Sequence, residues 1–160
     1  MNKQKLLNQV QIRLQQTLEA ATEAALRAYN TATDDENIAE NQYDTLALEA
    51  SYLAHGQAQR VEECKADITA FQVLQANLPK AFDTVLLGHI VTLADEDDNV
   101  RFVFLGPSSG GLVVTFDQYS VTIVTPTSPF GDALIGREIG EEVDVHIGDK
   151  VTWYEVMAIN

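Results

Sequence analysis

Five carboxylates between residues 34 and 44 have the clearest capacity for chemistry in this chain. They are Asp34, Asp35, Glu36, Glu40 and Asp44, and no lysine or arginine lies between them. Like charges this close repel one another unless something compensates them, and Mg²⁺, which prefers one or two carboxylates plus waters, is one such compensation. Glu40 and Asp44 are four residues apart and would share a helical face, so they are the first choice as metal ligands. The alternative is a solvated turn whose acids cap the next helix.

Two amphipathic helices are predicted on either side of this acidic segment. Apolar residues recur at spacings of three and four within 3–31 and again within 43–77, a pattern typical of long helices. The repeated positions are Leu7, Val10, Leu14, Thr17, Ala21, Ala24 and Ala28, then Leu46, Ala50, Leu53, Gln57, Val61, Cys64, Ile68 and Phe71. Residues 1–80 are therefore predicted to form an antiparallel coiled-coil hairpin with arms of ~45 Å and the acids at its tip. A helical hairpin lying flat on a sheet is the alternative.

A different pattern begins after Pro79, which cannot continue a helix. Residues 81–160 alternate apolar and polar side chains with a period of two. Strands are predicted over 87–93, 101–105, 112–116, 120–125, 143–147 and 151–159. Five to six strands with one short helix indicate a second domain, 81–160, and an α+β fold class for the whole chain.

The connection between the last predicted strands, residues 125–143, contains the most specific local signals. Ser128 is predicted to cap a short helix that begins at Pro129. Gly136 can end that helix with a positive φ. Residues 133–135 give it an apolar side.

This connection resembles the C-terminal signature of the Gre-type bacterial transcription elongation factors. The shared pattern is Ser128-Pro-x-Gly-x-Ala-Leu-Ile-Gly-x-x-x-Gly-x-x-Val143. Gly88-His-Ile-Val91, Phe104-Leu-Gly106 and Val121-Thr-Ile-Val124 resemble the strands that precede it in that family. The resemblance implies a C-terminal domain similar to FK506-binding proteins (FKBP-like) and an N-terminal coiled-coil finger.

The resemblance also implies a function. Gre factors insert the finger into the secondary channel of RNA polymerase, where two tip acids help to hold the second catalytic Mg²⁺. The polymerase then cleaves backtracked RNA by two-metal hydrolysis. Such a factor is not itself an enzyme and holds no cofactor stably, since the Mg²⁺ is shared with the polymerase.

The family's tip motif, Asp-x-x-Glu-Asn-Ala-Glu-Tyr, matches this chain in two registers. One register puts Thr33 at the aspartate position. The other, counted back from residues 60–61, puts Glu40 there and Tyr43 at the glutamate position, with Asp44 next to it. Neither register keeps both acids. The resemblance therefore leaves two functions open: cleavage stimulation, or occupation of the channel without cleavage, as homologues with altered tips do.

The resemblance implies docking on RNA polymerase at the rim of the channel through residues 128–136. Phe130 and Asp132 are expected to be exposed docking residues because of their position in the connection. Ser128, Pro129 and Gly136 complete the predicted partner-binding set.

A second candidate surface lies on the second helix near the tip. Tyr52, His55 and Gln59 fall on neighbouring turns of one face. Two interpretations are open: a contact with the polymerase, or the flank of a coiled coil in which Tyr52 is packed.

Composition restricts the partners and the compartment. The net charge of −14, from 24 acidic and 10 basic residues, argues against independent binding to DNA or RNA, which requires phosphate neutralisation. RNA is therefore expected to be contacted only within the polymerase complex. Cys64 is the only cysteine and occupies a core position, which indicates an inert thiol and a reducing cytoplasm. No run reaches the ~18 apolar residues of a transmembrane helix.

A remaining alternative is an FKBP-like interaction module or prolyl isomerase. It would require an aromatic-lined pocket in residues 81–160. The candidates are Phe102, Phe104, Tyr119, Phe130, Trp153 and Tyr154, most of which are expected in the core.

Overall fold

The computed structural model describes residues 2–33 and 46–160. In chain order its elements are α1 (Lys3–Thr33), α2 (Leu46–Ala76), β1 (Ile90–Asp95), β2 (Val100–Leu105), β3 (Val113–Phe116), β4 (Tyr119–Val124), α3 (Pro129–Leu134), β5 (Glu142–Ile147) and β6 (Lys150–Ile159). The predicted α+β class is confirmed: a hairpin of two long helices accompanies a six-stranded sheet and one short helix. Within the described ranges, no helix is long and apolar enough to cross a membrane.

Contacts divide the chain into two compact units. One contains Met1–Gln11 and Thr69–Asn160, and the other contains Ile12–Ile68. The first turns of α1 and the last turns of α2 therefore belong to the unit that contains the sheet. This grouping crosses the predicted domain boundary at residue 80, and the division into 1–80 and 81–160 stays a prediction about the sequence pattern.

In the unit Ile12–Ile68, α1 and α2 meet through small side chains. Ala28 is 6% exposed and Ala50 is 7% exposed, and both line an open cavity of about 280 Å³ between the two helices. Leu53 lines the same cavity and is 56% exposed, although the sequence places it in the apolar stripe. The alanines opposite Leu53 are too short to cover it, so the buried stripe is narrower than predicted.

The sheet has the order β3-β4-β2-β1-β6-β5. Neighbouring strands are antiparallel except for β2 and β4, which are parallel. Side chains alternate between two faces, and α3 packs on what we call the inner face. The core of this face consists of Val85, Val91, Leu93, Val103, Leu105, Val124, Phe130, Leu134, Val143, Val145, Tyr154, Val156 and Ile159.

The opposite, outer face is covered at one end by the first turns of α1 and the last turns of α2. Ile90, Phe104 and Ile123 are fully buried there. The ring of Phe71 in α2 stacks on that of Phe104, with centroids 6.4 Å apart. The Lys5 ammonium in α1 lies 3.1 Å from the Asp117 carboxylate in the β3–β4 turn.

The first strand begins three residues later than predicted. The backbone N–H of His89 donates to the Leu86 carbonyl at 3.1 Å, and Gly88 has a φ of +91°, so residues 86–89 form a turn. The alternation of apolar and polar residues that begins at Leu87 therefore starts within a turn and continues into β1. His89 is fully buried in this turn.

Candidate functional site

The connection that carries the family signature folds as predicted. Ser128 caps α3: its Oγ accepts a hydrogen bond from the backbone N–H of Gly131 at 3.1 Å and donates one to the Thr125 carbonyl at 2.7 Å. Pro129 occupies the first helical position, where its missing N–H costs nothing. The start of α3 is therefore determined by the local interactions of Ser128 and by Pro129.

Two glycines hold this connection in place. A Cβ on Gly131 would overlap the Thr125 carbonyl, so only glycine allows α3 to lie against the end of β4. Gly136 has a φ of +78°, as predicted, and its N–H donates to the Val85 carbonyl at 2.8 Å. The segment is therefore a rigid platform rather than an open loop.

Phe130 is not the exposed docking residue that its position suggests. It is 7% exposed, and its ring lies 5.2 Å from that of Tyr154 and 5.0 Å from the Arg101 guanidinium. The expected exposure is wrong because α3 turns this position onto the inner face of the sheet. Phe130 anchors the helix and does not face solvent.

Four exposed side chains of the platform form what we call the α3 surface: Pro129, Asp132, Ile135 and Ile139. Arg137 and Glu138, between the two isoleucines, are exposed as well. Ile135 was expected on the apolar, buried side of the helix, yet it is 43% exposed, and Ile139 is 56% exposed. Ile135 follows the last helical residue and has left the helical conformation, so its side chain no longer points to the core. Sequence analysis missed both isoleucines as candidate contact residues. The available signal for their exposure was that each isoleucine directly precedes a glycine in this connection.

The predicted tip acids Asp35, Glu36, Glu40 and Asp44 lie outside the described residues. Their role as metal ligands therefore stays a prediction. Elsewhere in the chain, over 2–33 and 46–160, no three His, Cys, Asp or Glu side chains are grouped in a way that could hold a metal ion.

The second candidate surface, on α2, is exposed. Tyr52 is 71% exposed, and His55 and Gln59 are exposed as well. The interpretation in which Tyr52 is packed is wrong, because the buried positions of this part of α2 are Ala50 and Cys64. Leu48, one turn before Tyr52, is 55% exposed.

The aromatic residues of the C-terminal half form separate pairs and not one cluster: Phe102 contacts Tyr119, and Phe130 contacts Tyr154. Phe104 is buried on the outer face and Phe130 on the inner face. Trp153 was expected in the core with most of the others, but it is 48% exposed because it pairs with Asp144 on the outer face. This distribution over both faces does not favour an aromatic-lined pocket for a prolyl isomerase.

A buried histidine connects the helix base to the sheet. The Nδ1 atom of His89 accepts the backbone N–H of Leu86 at 3.0 Å, which leaves the proton on Nε2. The ring packs on Phe82 with centroids 5.4 Å apart, and the Lys3 ammonium lies over the Phe82 ring at 5.2 Å. Burial, and secondarily the charge of Lys3, lower the pKa of His89, while carbonyl groups of Ala81 and Thr84 oppose the shift. Burial therefore favours the neutral form of His89.

Comparisons with known proteins agree with these features. The model of the C-terminal region of the transcription elongation factors GreA and GreB matches residues 79–160. GreA of Rhodospirillum rubrum is 25% identical over 140 residues, which cover 85% of this chain and 81% of that protein. GreA of Beijerinckia indica is 28% identical over 136 residues, with 84% and 80% covered.

Among solved structures, GreA factor homolog 1 (Gfh1) of Thermus thermophilus aligns over 94% of each chain, with 20% identity and a TM-score of 0.39. The family match covers more than half of the chain and includes Ser128, Pro129, Gly131 and Gly136, the residues that build the platform. This chain belongs to the GreA/GreB family of transcription elongation factors.

Proposed function

We propose that this protein binds RNA polymerase and places its helical hairpin in the secondary channel, where it regulates elongation. The observation that carries the proposal is the family match over residues 79–160, in a chain that also has two 31-residue helices, α1 and α2. At 1.5 Å per residue each helix is about 46 Å long. The excess of acidic residues leaves protein rather than free nucleic acid as the partner.

Docking uses the α3 surface. Its exposed members project from a platform that Phe130 anchors and Gly131 and Gly136 hold in shape. The two exposed isoleucines offer apolar contact area, and Asp132 adds a charge that helps to fix orientation. Ser128 and Phe130 support this surface from beneath and do not themselves touch the partner.

The tip acids then act inside the polymerase. Carboxylate oxygens are the ligands that Mg²⁺ prefers, and Glu40 and Asp44 are the acids best spaced to act together. The metal, when bound by the polymerase, stabilises the attacking and leaving oxygens of the phosphodiester cleavage. Glu36 and Asp35 are the second choice.

A non-cleaving regulator is the second candidate function. It is favoured by the tip sequence, because neither register places an acid at both positions of the family motif. In that case the protein occupies the channel and slows RNA synthesis instead of rescuing backtracked complexes.

A backtracked elongation complex distinguishes the two functions. The purified protein is added and the length of the RNA 3′ end is followed over time. Shortening of the RNA that is lost in Glu40→Ala/Asp44→Ala but kept in the control Glu62→Ala/Glu63→Ala supports cleavage stimulation. Binding with slowed synthesis and no shortening supports the second function. Failure to associate at low salt contradicts both and favours an FKBP-like interaction module.

The docking surface has its own test. Ile135→Ser/Ile139→Ser is expected to weaken association with the polymerase, whereas Ile147→Ser is not. Ile147 is a suitable control because it is 61% exposed and lies at the end of β5, outside the α3 surface. Equal affinity of the two variants would show that docking uses another part of the chain.

A further inference from the structure

The other end of the outer sheet face is open and carries exposed apolar side chains. Val100 is 57% exposed, Trp153 48% and Val151 42%. All three occupy outward positions: Val100 pairs with Ala94, Trp153 with Asp144 and Val151 with His146. Met157, 48% exposed, is the extra residue at the bulge of β6.

Carboxylates surround these apolar residues. Glu142 and Glu155 face each other directly across β5 and β6, an arrangement of like charges that destabilises a strand pair. Neither glutamate forms an ion pair with any described residue. Together with Asp95, Glu96 and Trp153 they line a shallow cavity of about 170 Å³. This surface thus has acceptors and an aromatic ring but no lysine or arginine of its own, and the outward His146 is engaged by Asp144 at 2.7 Å.

The rest of the C-terminal half does not supply the missing cation. Residues 81–160 contain 13 acidic and 3 basic side chains, a net charge of −10. Arg101 lies against Phe130 on the inner face, Arg137 pairs with Glu141, and Lys150 stands opposite Ile147 at the end of the β5–β6 hairpin. None of the three occupies an outward position in the row of Glu142 and Glu155.

We propose that this open end of the outer face, built on Val100, Glu142, Trp153 and Glu155, is a docking surface for a basic protein segment that also carries apolar side chains. Arginine or lysine side chains would relieve the repulsion between the two glutamates and stack on the indole of Trp153. Leucine-like side chains would cover Val100 and Val151. The surface is on the face opposite α3, so the proposal does not depend on docking through the α3 surface.

Charge complementarity selects this occupant over others. A second copy of this chain would bring two sets of carboxylates together. Nucleic acids and anionic membranes present negative charge and would be repelled. A basic, amphipathic protein segment is the occupant whose charge and apolar content both fit.

Trp153 provides the test, because it is the only tryptophan in the chain. The full chain is titrated with a synthetic amphipathic peptide of leucine and arginine while the tryptophan emission is recorded. We expect a saturable blue shift that weakens with added salt. A peptide with glutamate in place of arginine is expected to cause no shift, and an oligoarginine without leucine is expected to bind more weakly.

A matched pair of variants localises the binding. Glu142→Gln/Glu155→Gln is expected to weaken binding about tenfold, whereas Glu62→Gln/Glu63→Gln removes the same charge from α2 and should change it less than about twofold. Equal weakening by both variants, or saturation without a change in Trp153 emission, would overturn the proposal. Equally tight binding of oligoarginine would overturn its apolar component. Thermal unfolding of each variant confirms that it is folded.

Discussion

The inner face of the sheet and the helix pair of residues 12–68 are closed by different means. On the inner face large side chains interlock: Phe130 is 7% exposed and Leu134 is fully buried. Between the helices the buried side chains are small, such as Ala28 and Ala50, and Leu53 remains 56% exposed beside a cavity. Stability in the sheet unit therefore depends on a few large residues and close backbone contacts, whereas in the helical unit it is spread over many weak contacts.

The largest loss of stability is expected when one methyl group is added to the connection before β5. Gly131→Ala is expected to cost more than about 4 kcal/mol or to prevent folding, because the new Cβ would overlap a backbone carbonyl that cannot move aside. The free energy of unfolding, measured with urea, checks this. Gly111→Ala is not a suitable control because Gly111 has a φ of +88°. Gly110→Ala, where only ordinary contacts lie within reach, should be tolerated, and equal losses would contradict the account.

Removing one large side chain from each region is the next test. Phe130→Ala is expected to destabilise the protein by about 3–5 kcal/mol, since it empties a packed position and takes away the partner of Tyr154 and Arg101. Leu53→Ala should cost less than about 1 kcal/mol because more than half of that side chain is already exposed. Urea unfolding followed by circular dichroism measures both. Similar losses would mean that the two interfaces are built alike.

The helical unit should instead gain from a change in backbone propensity. Gly56 lies inside α2 with nothing within reach of an added Cβ. Gly56→Ala is expected to stabilise the helix by about 1 kcal/mol. Hydrogen exchange of α2 amides is the direct readout. Slower exchange confined to the sheet unit, or faster exchange of the α2 amides, would contradict the absence of close contacts at this position.

The smallest expected effect is a loss of folding stability at acidic pH, which we assign to His89 in the sheet unit. The pKa of His89 is lowered in the folded protein, first by burial and then by Lys3. The unfolded chain binds the proton first, so stability is complete above the ordinary pKa of about 6.5 and falls as the pH drops below it. One such group contributes no more than about 1 kcal/mol between pH 7 and pH 6. The slope should disappear in His89→Gln and persist in His55→Gln, whose histidine is exposed.

Much of the sheet could be predicted because its signals are local. The predicted strands corresponding to β2 to β6 agree with the observed ones to within a residue or two, and Ser128, Pro129 and Gly136 define α3 as expected. These features depend on turn residues and caps that act within a few positions. The beginning of β1 was missed because a turn at Gly88 continues the alternation of a strand.

Exposure was harder to predict than secondary structure. Phe130 and Ile135 exchange the roles expected for them, since Phe130 lies within the six-residue α3 and is buried, whereas Ile135 follows its last residue. Trp153 is a residue type that is common in protein cores. Only its pairing with Asp144 shows that its side chain lies on the outer face of the sheet. Tyr52 is exposed, whereas Ala50, two residues earlier in α2, is buried. Each of these outcomes is set by packing between distant parts of the chain, which a single sequence does not encode locally.

The proposal that this protein docks on RNA polymerase through the α3 surface is tested most directly by measuring their association. The labelled protein is titrated with a backtracked elongation complex at low salt, and fluorescence anisotropy reports binding. We expect saturable binding of one copy per polymerase, weakened by Ile135→Ser/Ile139→Ser and unchanged by Ile147→Ser. No saturable binding, or binding that all three substitutions leave unaltered, would contradict it.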